Sequence, residues 1–119
     1  GRHPEVLRLM VKMAMRPPDY DRASRLSEKY LERYPFDSRM LLIASFCFKK
    51  AKRYGDAVDT GERLRLREPD NLENLVLLAE VYFRINDFRR AEVLLEEAIA
   101  RNPGFTRALR LRDKLRVLK

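Results

Sequence analysis

The sequence predicts an all-α chain in which antiparallel helical pairs stack one after another. Apolar residues recur at the spacing of an amphipathic helix along most of the 119 residues. Prolines and the pairs Asp70-Asn71 and Asn86-Asp87 separate these stretches by short loops, which force neighbouring helices to run antiparallel. The whole pattern also repeats with a period of 34 residues, and a fixed period of this size is typical of a helical solenoid.

The period is defined best by residues 72–105. When that window is moved back by 34 residues, and then by 34 again, identical or similar residues occupy the same positions. Three copies in phase over residues 4–105 make chance a poor explanation. The matching sets are Ala23, Ala57 and Ala91; Pro35, Pro69 and Pro103; Tyr20, Tyr54 and Phe88; Leu7, Leu41 and Leu75; and Arg33, Arg67 and Arg101.

This pattern resembles the tetratricopeptide repeat, a helix-turn-helix unit of 34 residues. The second copy departs from the family pattern at Gly61, where a large apolar residue is usual, and the first departs at Val11, Ala14 and Ser27. The third copy matches strongly and reads Leu75-x2-Leu78-Ala79-x2-Tyr82, then Ala91-x3-Leu95, then Pro103.

The resemblance implies a right-handed α-α superhelix that forms a single domain over the whole chain. Its three helix-turn-helix repeats are expected at 4–37, 38–71 and 72–105, followed by a capping helix at 106–119. In such a stack each repeat contacts mainly its neighbours, and the last repeat needs a cover for its apolar side. The resemblance also implies a concave groove in which a ligand binds.

In the first repeat, we expect a helix over 4–16 with its apolar residues on one face. The proline pair at 17–18 stops this helix, because proline lacks the N–H for the next hydrogen bond and disfavours a helical residue before it. Asp19 can then cap a second helix that runs to about Tyr34, and Pro35 ends it.

In the second repeat, Asp37 or Ser38 caps a helix that runs to about Lys52. Its partner is expected from Tyr54 to about Arg67. The loop that follows, Pro69-Asp70-Asn71, has the composition of a turn.

In the third repeat, Asn71 caps a helix from Leu72 to Ile85, and a partner helix runs from Phe88 to Arg101. The final stretch, 106–119, begins a fourth cycle without a second helix. One of its faces carries Ala108, Leu111, Leu115 and Leu118 and can cover the last repeat. A basic amphipathic helix for a membrane surface or nucleic acid is the alternative for this segment.

The composition excludes several classes of protein. No apolar run approaches the roughly 20 residues that cross a bilayer, and residues 1–5 lack the layout of a secretory signal, so we expect a cytoplasmic protein. Pro4 opens a repeat without a capping element before it, as in an excised part of a longer array. Cys47 is the single cysteine, which rules out an intrachain disulfide, and its neighbours Phe46 and Phe48 indicate a small buried hydrophobe.

The family resemblance places the ligand groove on the first helix of each repeat. There the second, fifth, ninth, twelfth and thirteenth helical positions face the groove, and a helical period of 3.6 keeps these positions on one side. The capping helix adds Arg107, Arg110 and Lys114 if it continues the curve. The groove positions are Glu5, Arg8, Lys12, Met15 and Arg16; Arg39, Leu42, Phe46, Lys49 and Lys50; and Glu73, Val76, Glu80, Phe83 and Arg84.

Together with the three residues of the capping helix, the groove positions hold ten cations and three carboxylates, which concentrates nearly all of the net charge of +8 on one face. We therefore expect an acidic protein or peptide ligand that carries apolar anchors. A merely solvated face is the alternative, because Lys, Arg and Glu also favour exposed helical positions. The expected ionic contacts are Arg8, Lys12, Arg39, Lys49, Lys50 and Arg84, and the expected apolar anchors are Leu42, Phe46, Val76 and Phe83.

Some members of the resembled family hold the terminal carboxylates of heat-shock chaperones with a clamp of Lys, Asn, Asn, Lys and Arg. Arg8 can replace the first lysine of that clamp. The other four positions hold Lys12, Ile43, Glu73 and Leu77, which do not match. We therefore do not expect binding of a chaperone tail.

The sequence predicts no enzyme, cofactor or metal site. His3 is the single histidine and lies beside the N-terminus, and no glycine-rich phosphate loop occurs. A non-enzymatic scaffold or adaptor is the expected function. Two alternatives remain: an RNA-binding helical-repeat module, since the isoelectric point is near 10.0, and self-association through the open end of the first repeat.

Overall fold

A computed structural model describes Leu9, Val11 and residues 19–118 of the chain. Six helices and no strand occur in this part. The predicted helix at 4–16 lies outside the described residues, apart from Leu9 and Val11, which are both helical. The helices are α1 (Tyr20–Arg33), α2 (Ser38–Lys50), α3 (Tyr54–Arg67), α4 (Leu72–Arg84), α5 (Phe88–Arg101) and α6 (Thr106–Leu118).

Four helices begin at a side-chain cap, and three of these caps are predicted from the sequence. Asp19, Asp37 and Asn71 each accept a hydrogen bond from the backbone N–H three residues later, and Asp87 does the same for Arg90. Asp37, and not Ser38, is therefore the cap of α2. Arg53 stands at the N-cap position before α3, and its side chain forms no capping hydrogen bond.

Helices α2 and α4 end one or two residues before their predicted ends. Lys52 and Asn86 have φ angles of 62° and 64°, in the left-handed region that stops a right-handed helix. These two residues are 34 positions apart, so the same turn recurs in successive repeats.

The described helices pack as antiparallel neighbours around two hydrophobic clusters. One cluster joins α1, α2 and α3 with Val81 of α4 and includes Leu41 and Leu64, and the other joins α4, α5 and α6 and includes Leu75 and Leu95. Helix α6 buries Ala108, Leu111 and Leu115 against the second cluster and covers the end of the α4–α5 hairpin.

Small residues allow the helices to approach closely. Ala23, Ala57 and Ala91 occupy the equivalent position in α1, α3 and α5, and each is at most 1% exposed. These packed hairpins confirm the all-α helical-repeat fold. None of the described helices has the length and hydropathy to cross a membrane.

Candidate ligand-binding groove

The first helices of the second and third repeats and the last helix form one continuous surface. Helices α2, α4 and α6 lie side by side, as ion pairs from α2 to α4 and from α4 to α6 demonstrate. We call this surface the inner face. The inner face brings together the predicted groove residues of α2 and α4, while Arg8 and Lys12 lie outside the described residues.

Two carboxylates on α4 hold cations from both neighbouring helices. Lys49 Nζ lies 3.3 Å from Glu80 Oε2, and Arg107 donates to Glu80 Oε1 at 2.9 Å and to Glu73 Oε2 at 2.6 Å. The side chain of Lys49 is 14% exposed, and its burial lowers the pKa of the ammonium group despite the opposing attraction of Glu80. Lys49 and Arg107 therefore connect helices before any ligand is present.

Five other cations of the inner face project into solvent. They are exposed, and none lies within ion-pair distance of a carboxylate in the part of the chain that the structure describes. Because their charge is not neutralised locally, these side chains can attract an acidic ligand. The five cations are Arg39, Lys50, Arg84, Arg110 and Lys114.

Three predicted apolar anchors are half-buried among these cations: Leu42, Phe46 and Phe83. The Phe46 ring packs edge-on against Tyr20, with 5.9 Å between centroids, and the ammonium of Lys50 lies 5.6 Å from the Phe46 centroid. The Phe83 ring packs in the same way on Phe88 at 5.6 Å. Both rings are thus held in place and remain partly exposed.

The fourth predicted anchor, Val76, is only 1% exposed. Val76 lies beneath a cavity of about 170 Å³ between α4 and α6, with Arg110 and Lys114 at its rim. A ligand side chain would contact Val76 only by entering this cavity. The valine is therefore mainly a packing residue of the second hydrophobic cluster.

Cys47 occupies the core beneath the inner face and is fully buried, as expected. Burial raises the pKa of its thiol to about 11, and a hydrogen bond with Ser27 opposes this rise. A thiol in this state is a poor nucleophile. Among the described residues, no group of three or more His, Cys, Asp or Glu side chains is arranged to hold a metal ion.

The repeat pattern is matched by the sequence model of a known family. The model of the tetratricopeptide repeat matches residues 48–115, which is more than half of the chain. The chain belongs to the tetratricopeptide-repeat family. A comparison with curated protein sequences found no match.

Solved tetratricopeptide-repeat structures share the fold at low sequence identity. MamA from residue 41 onward, from Desulfovibrio magneticus RS-1, is 20% identical with a TM-score of 0.90, covering 97% of this chain and 65% of MamA. YrrB, described as having an unusual peptide-binding site, is 12% identical with a TM-score of 0.88, covering 95% of this chain. This chain spans 58% of the YrrB chain.

A third similar structure contains a ligand. The first tetratricopeptide-repeat domain of Spaghetti, bound to the HSP90 peptide SRMEEVD, is 13% identical with a TM-score of 0.87. The alignment covers 97% of this chain and 91% of the Spaghetti domain. At these identities the likeness establishes the fold and not the ligand.

In this tetratricopeptide-repeat chain, three positions that correspond to the chaperone-tail clamp hold residues of a different chemical type. Glu73 is bonded to Arg107, Ile43 is half-buried, and Leu77 is 5% exposed. None of these three side chains can donate a hydrogen bond to a carboxylate. The described part of the inner face therefore lacks the chaperone-tail clamp.

Sequence reasoning counted the groove charges but missed the ion pairs that neutralise some of them. The ion pair between Glu73 and Arg107 could have been predicted from the 34-residue period. These residues are separated by one period and occupy equivalent positions on adjacent helices. The Lys49–Glu80 pair spans 31 positions. It depends on rotamers that the sequence does not specify.

Proposed function

We propose that this chain is a non-enzymatic interaction scaffold that binds an acidic segment of a partner protein on its inner face. The observation that carries the proposal is the group of exposed cations without ion-pair partners in the described residues, which surround half-buried apolar side chains. The cations would steer and orient the segment, and the apolar side chains would supply contact area.

The cations and the apolar side chains are interspersed along the inner face. Arg39 and Leu42 lie in the first half of α2, while Phe46 and Lys50 lie in its second half. Phe83 and Arg84 form the same kind of pair at the end of α4. A segment that combines acidic residues with apolar ones would match this arrangement.

The basic strip would extend across the predicted first helix. Arg8 and Lys12 occupy the positions that correspond, one period earlier, to Leu42 and Phe46. We propose that both cations contact the same ligand. They would make the first repeat the more polar end of the groove.

Peptide binding by similar structures supports the mode of recognition. YrrB is described as having a peptide-binding site, and the Spaghetti domain holds an HSP90 peptide. Because Ile43, Glu73 and Leu77 stand at the clamp positions, we propose an internal acidic segment and not a chaperone C-terminus as the ligand of this chain.

A charge-reversal experiment tests the proposal. Lys50→Glu and Arg84→Glu are combined, since both residues are exposed and neither is part of a hydrophobic cluster. The probe is a fluorescein-labelled peptide of alternating Glu and Leu. We expect at least tenfold weaker binding by the variant in fluorescence anisotropy, because two attractive contacts become repulsive.

The matched control is Arg89→Glu with Arg101→Glu, which reverses the same charge on exposed positions of α5. Its affinity for the peptide should stay within twofold of the unmodified chain. Equal loss in both variants would indicate a net-charge effect and contradict a binding site on the inner face.

Single-stranded RNA serves as the competing ligand. If RNA bound more tightly than the acidic peptide, and its affinity fell steeply with salt, phosphate contacts would be responsible. That result would contradict the proposed peptide function and favour the nucleic-acid alternative.

A further inference from the structure

The outer side of the molecule contains a cleft that is larger than the cavity between α4 and α6. Helices α1 and α3, the second helices of two successive repeats, line a cleft of about 460 Å³. The cleft is independent of the inner face, which α2, α4 and α6 form. Its volume is comparable to that of a pocket for a few side chains of a peptide.

The floor of the cleft is apolar and partly aromatic. Phe48 and Leu31 form its base and are 3% and 7% exposed. Phe36, in the loop between α1 and α2, stands at the edge and is 58% exposed. An exposed aromatic side chain next to a concave apolar surface is typical of an interaction site.

The rim of the cleft carries the charge opposite to that of the whole chain. Four carboxylates, Glu28, Glu32, Asp56 and Asp59, line it together with Arg63, while Arg53 and Arg67 lie at its edge, so carboxylates exceed cations by one. The chain as a whole has a net charge of +8. The cleft is therefore locally negative on a basic molecule, and this contrast favours a basic ligand.

The chain's own arginines demonstrate that guanidinium groups fit this rim. Arg53 Nη2 lies 2.6 Å from Glu28 Oε2 and 2.9 Å from Asp56 Oδ2, which joins α1 to α3 across the cleft. Its guanidinium also lies 4.7 Å from the ring centroid of Phe48. Carboxylates and an aromatic face thus already bind one cation here.

Acceptors for a second cation remain on the same rim. The Glu32 side chain is exposed and forms no ion pair with any other residue that the structure describes. Asp59 accepts a hydrogen bond from Arg63 and is still 65% exposed. Since an ionised carboxylate has about four lone-pair sites, both side chains can bind an incoming arginine or lysine.

We infer that this outer cleft is a second docking site, for a basic segment of a partner protein in which arginine or lysine adjoins an apolar residue. The apolar residue occupies the floor beside Phe36, and the cation pairs with Glu32 and Asp59. The chain then has two faces of opposite charge preference, so it can hold an acidic and a basic segment at the same time.

The test uses the acetylated peptide Leu-Arg-Leu-Arg-Leu-amide, titrated into the ¹⁵N-labelled chain and followed by NMR. We expect the shifted amides to lie within residues 28–36 and 56–63, which border the cleft. Glu32→Lys and Phe36→Ser should each weaken binding at least fivefold. Both residues are exposed, so neither variant should impair folding.

Two control variants change the same residue types elsewhere. Glu96→Lys alters an exposed carboxylate on α5, and Leu66→Ser removes an apolar side chain that is 87% exposed. Neither should change the affinity by more than twofold. The Lys50→Glu, Arg84→Glu variant should bind this basic peptide normally, which separates the outer cleft from the inner face.

Three results would overturn the inference. Shifts that spread over the inner face would place the peptide elsewhere, and equal affinities of Glu32→Lys and Glu96→Lys would indicate a nonspecific charge effect. Shifts of the cleft amides on raising the protein concentration alone would identify a second copy of the chain as the occupant, instead of a separate partner.

Discussion

At the scale of single residues, Gly61 explains why one repeat departs from the family pattern. A Cβ atom on Gly61 would lie 2.8 Å from Cδ1 of Leu78, which is closer than such contacts normally occur. Leu78 is 1% exposed and occupies the space into which a side chain at position 61 would project. Leu78 of α4 therefore fills the space that a large apolar side chain usually fills at this position.

Gly61→Leu should therefore destabilise the chain. Overpacking against Leu78 should lower the free energy of unfolding by about 1–3 kcal/mol, as measured by urea denaturation. Gly55→Leu is the matched control, because nothing lies within 4 Å of a Cβ at Gly55 and this variant should be neutral or stabilising.

A double variant separates steric overlap from other causes. Leu78→Ala alone should cost about 2–5 kcal/mol through its cavity, whereas Gly61→Leu with Leu78→Ala should be more stable than the sum of the two changes predicts. Strict additivity would show that the two side chains do not compete for the same space.

At the scale of helices and turns, the repeated left-handed residue decides where the first helices of the α2–α3 and α4–α5 hairpins end. Lys52 and Asn86 occupy equivalent positions and have nearly the same positive φ. Asparagine tolerates this conformation better than lysine does, because lysine has a longer side chain that cannot bond locally to the backbone. The turn after α2 is thus the more strained of the two.

Lys52→Gly should raise the free energy of unfolding by about 1 kcal/mol, since glycine adopts a positive φ without steric cost. Lys52 is exposed, so the loss of its side chain removes little packing. Thermal and urea unfolding would measure the change. Asn86→Gly should produce a smaller effect, and a lower stability of Lys52→Gly would refute the assignment of strain to this turn.

Local chemistry made the helices predictable from the sequence. Caps such as Asp19 and Asn71 act within three residues, and the prolines act on their immediate neighbours, so a single sequence contains enough information to place them. The pair between Lys49 and Glu80 joins different helices and depends on rotamers and burial. The burial of Val76 likewise depends on how closely α6 approaches α4, which periodicity alone does not specify.

At the scale of the whole molecule, stability is divided between two neighbouring hydrophobic clusters. The molecule extends over 47 × 25 × 22 Å, as expected of a stack in which each repeat contacts only its neighbouring repeats. Helix α6 completes the second cluster with Leu111 and Leu115. Changes in α6 should therefore act mainly on that cluster.

Leu115→Ala should test this division. Leu115 is 2% exposed, so its truncation should cost about 2–5 kcal/mol. Hydrogen exchange should accelerate in α6 and in the adjoining α4–α5 hairpin, with a smaller change in α1–α3. Leu118→Ala is the control, because Leu118 is 57% exposed and its truncation should have little effect. Uniform acceleration throughout the described helices would show one cooperative unit.

In the proposed binding mode, an acidic ligand residue would have to replace a carboxylate of α4 as the ion-pair partner of Arg107. Arg107 already forms ion pairs with Glu73 and Glu80. An acidic ligand residue would have to displace one of these carboxylates before it could pair with the guanidinium group. The gain from such a swap is small, because one surface ion pair replaces another. In the proposed binding mode, selectivity on the inner face would therefore depend on the cations that form no ion pair with a described carboxylate, and a ligand would be favoured when its acidic residues coincide with them.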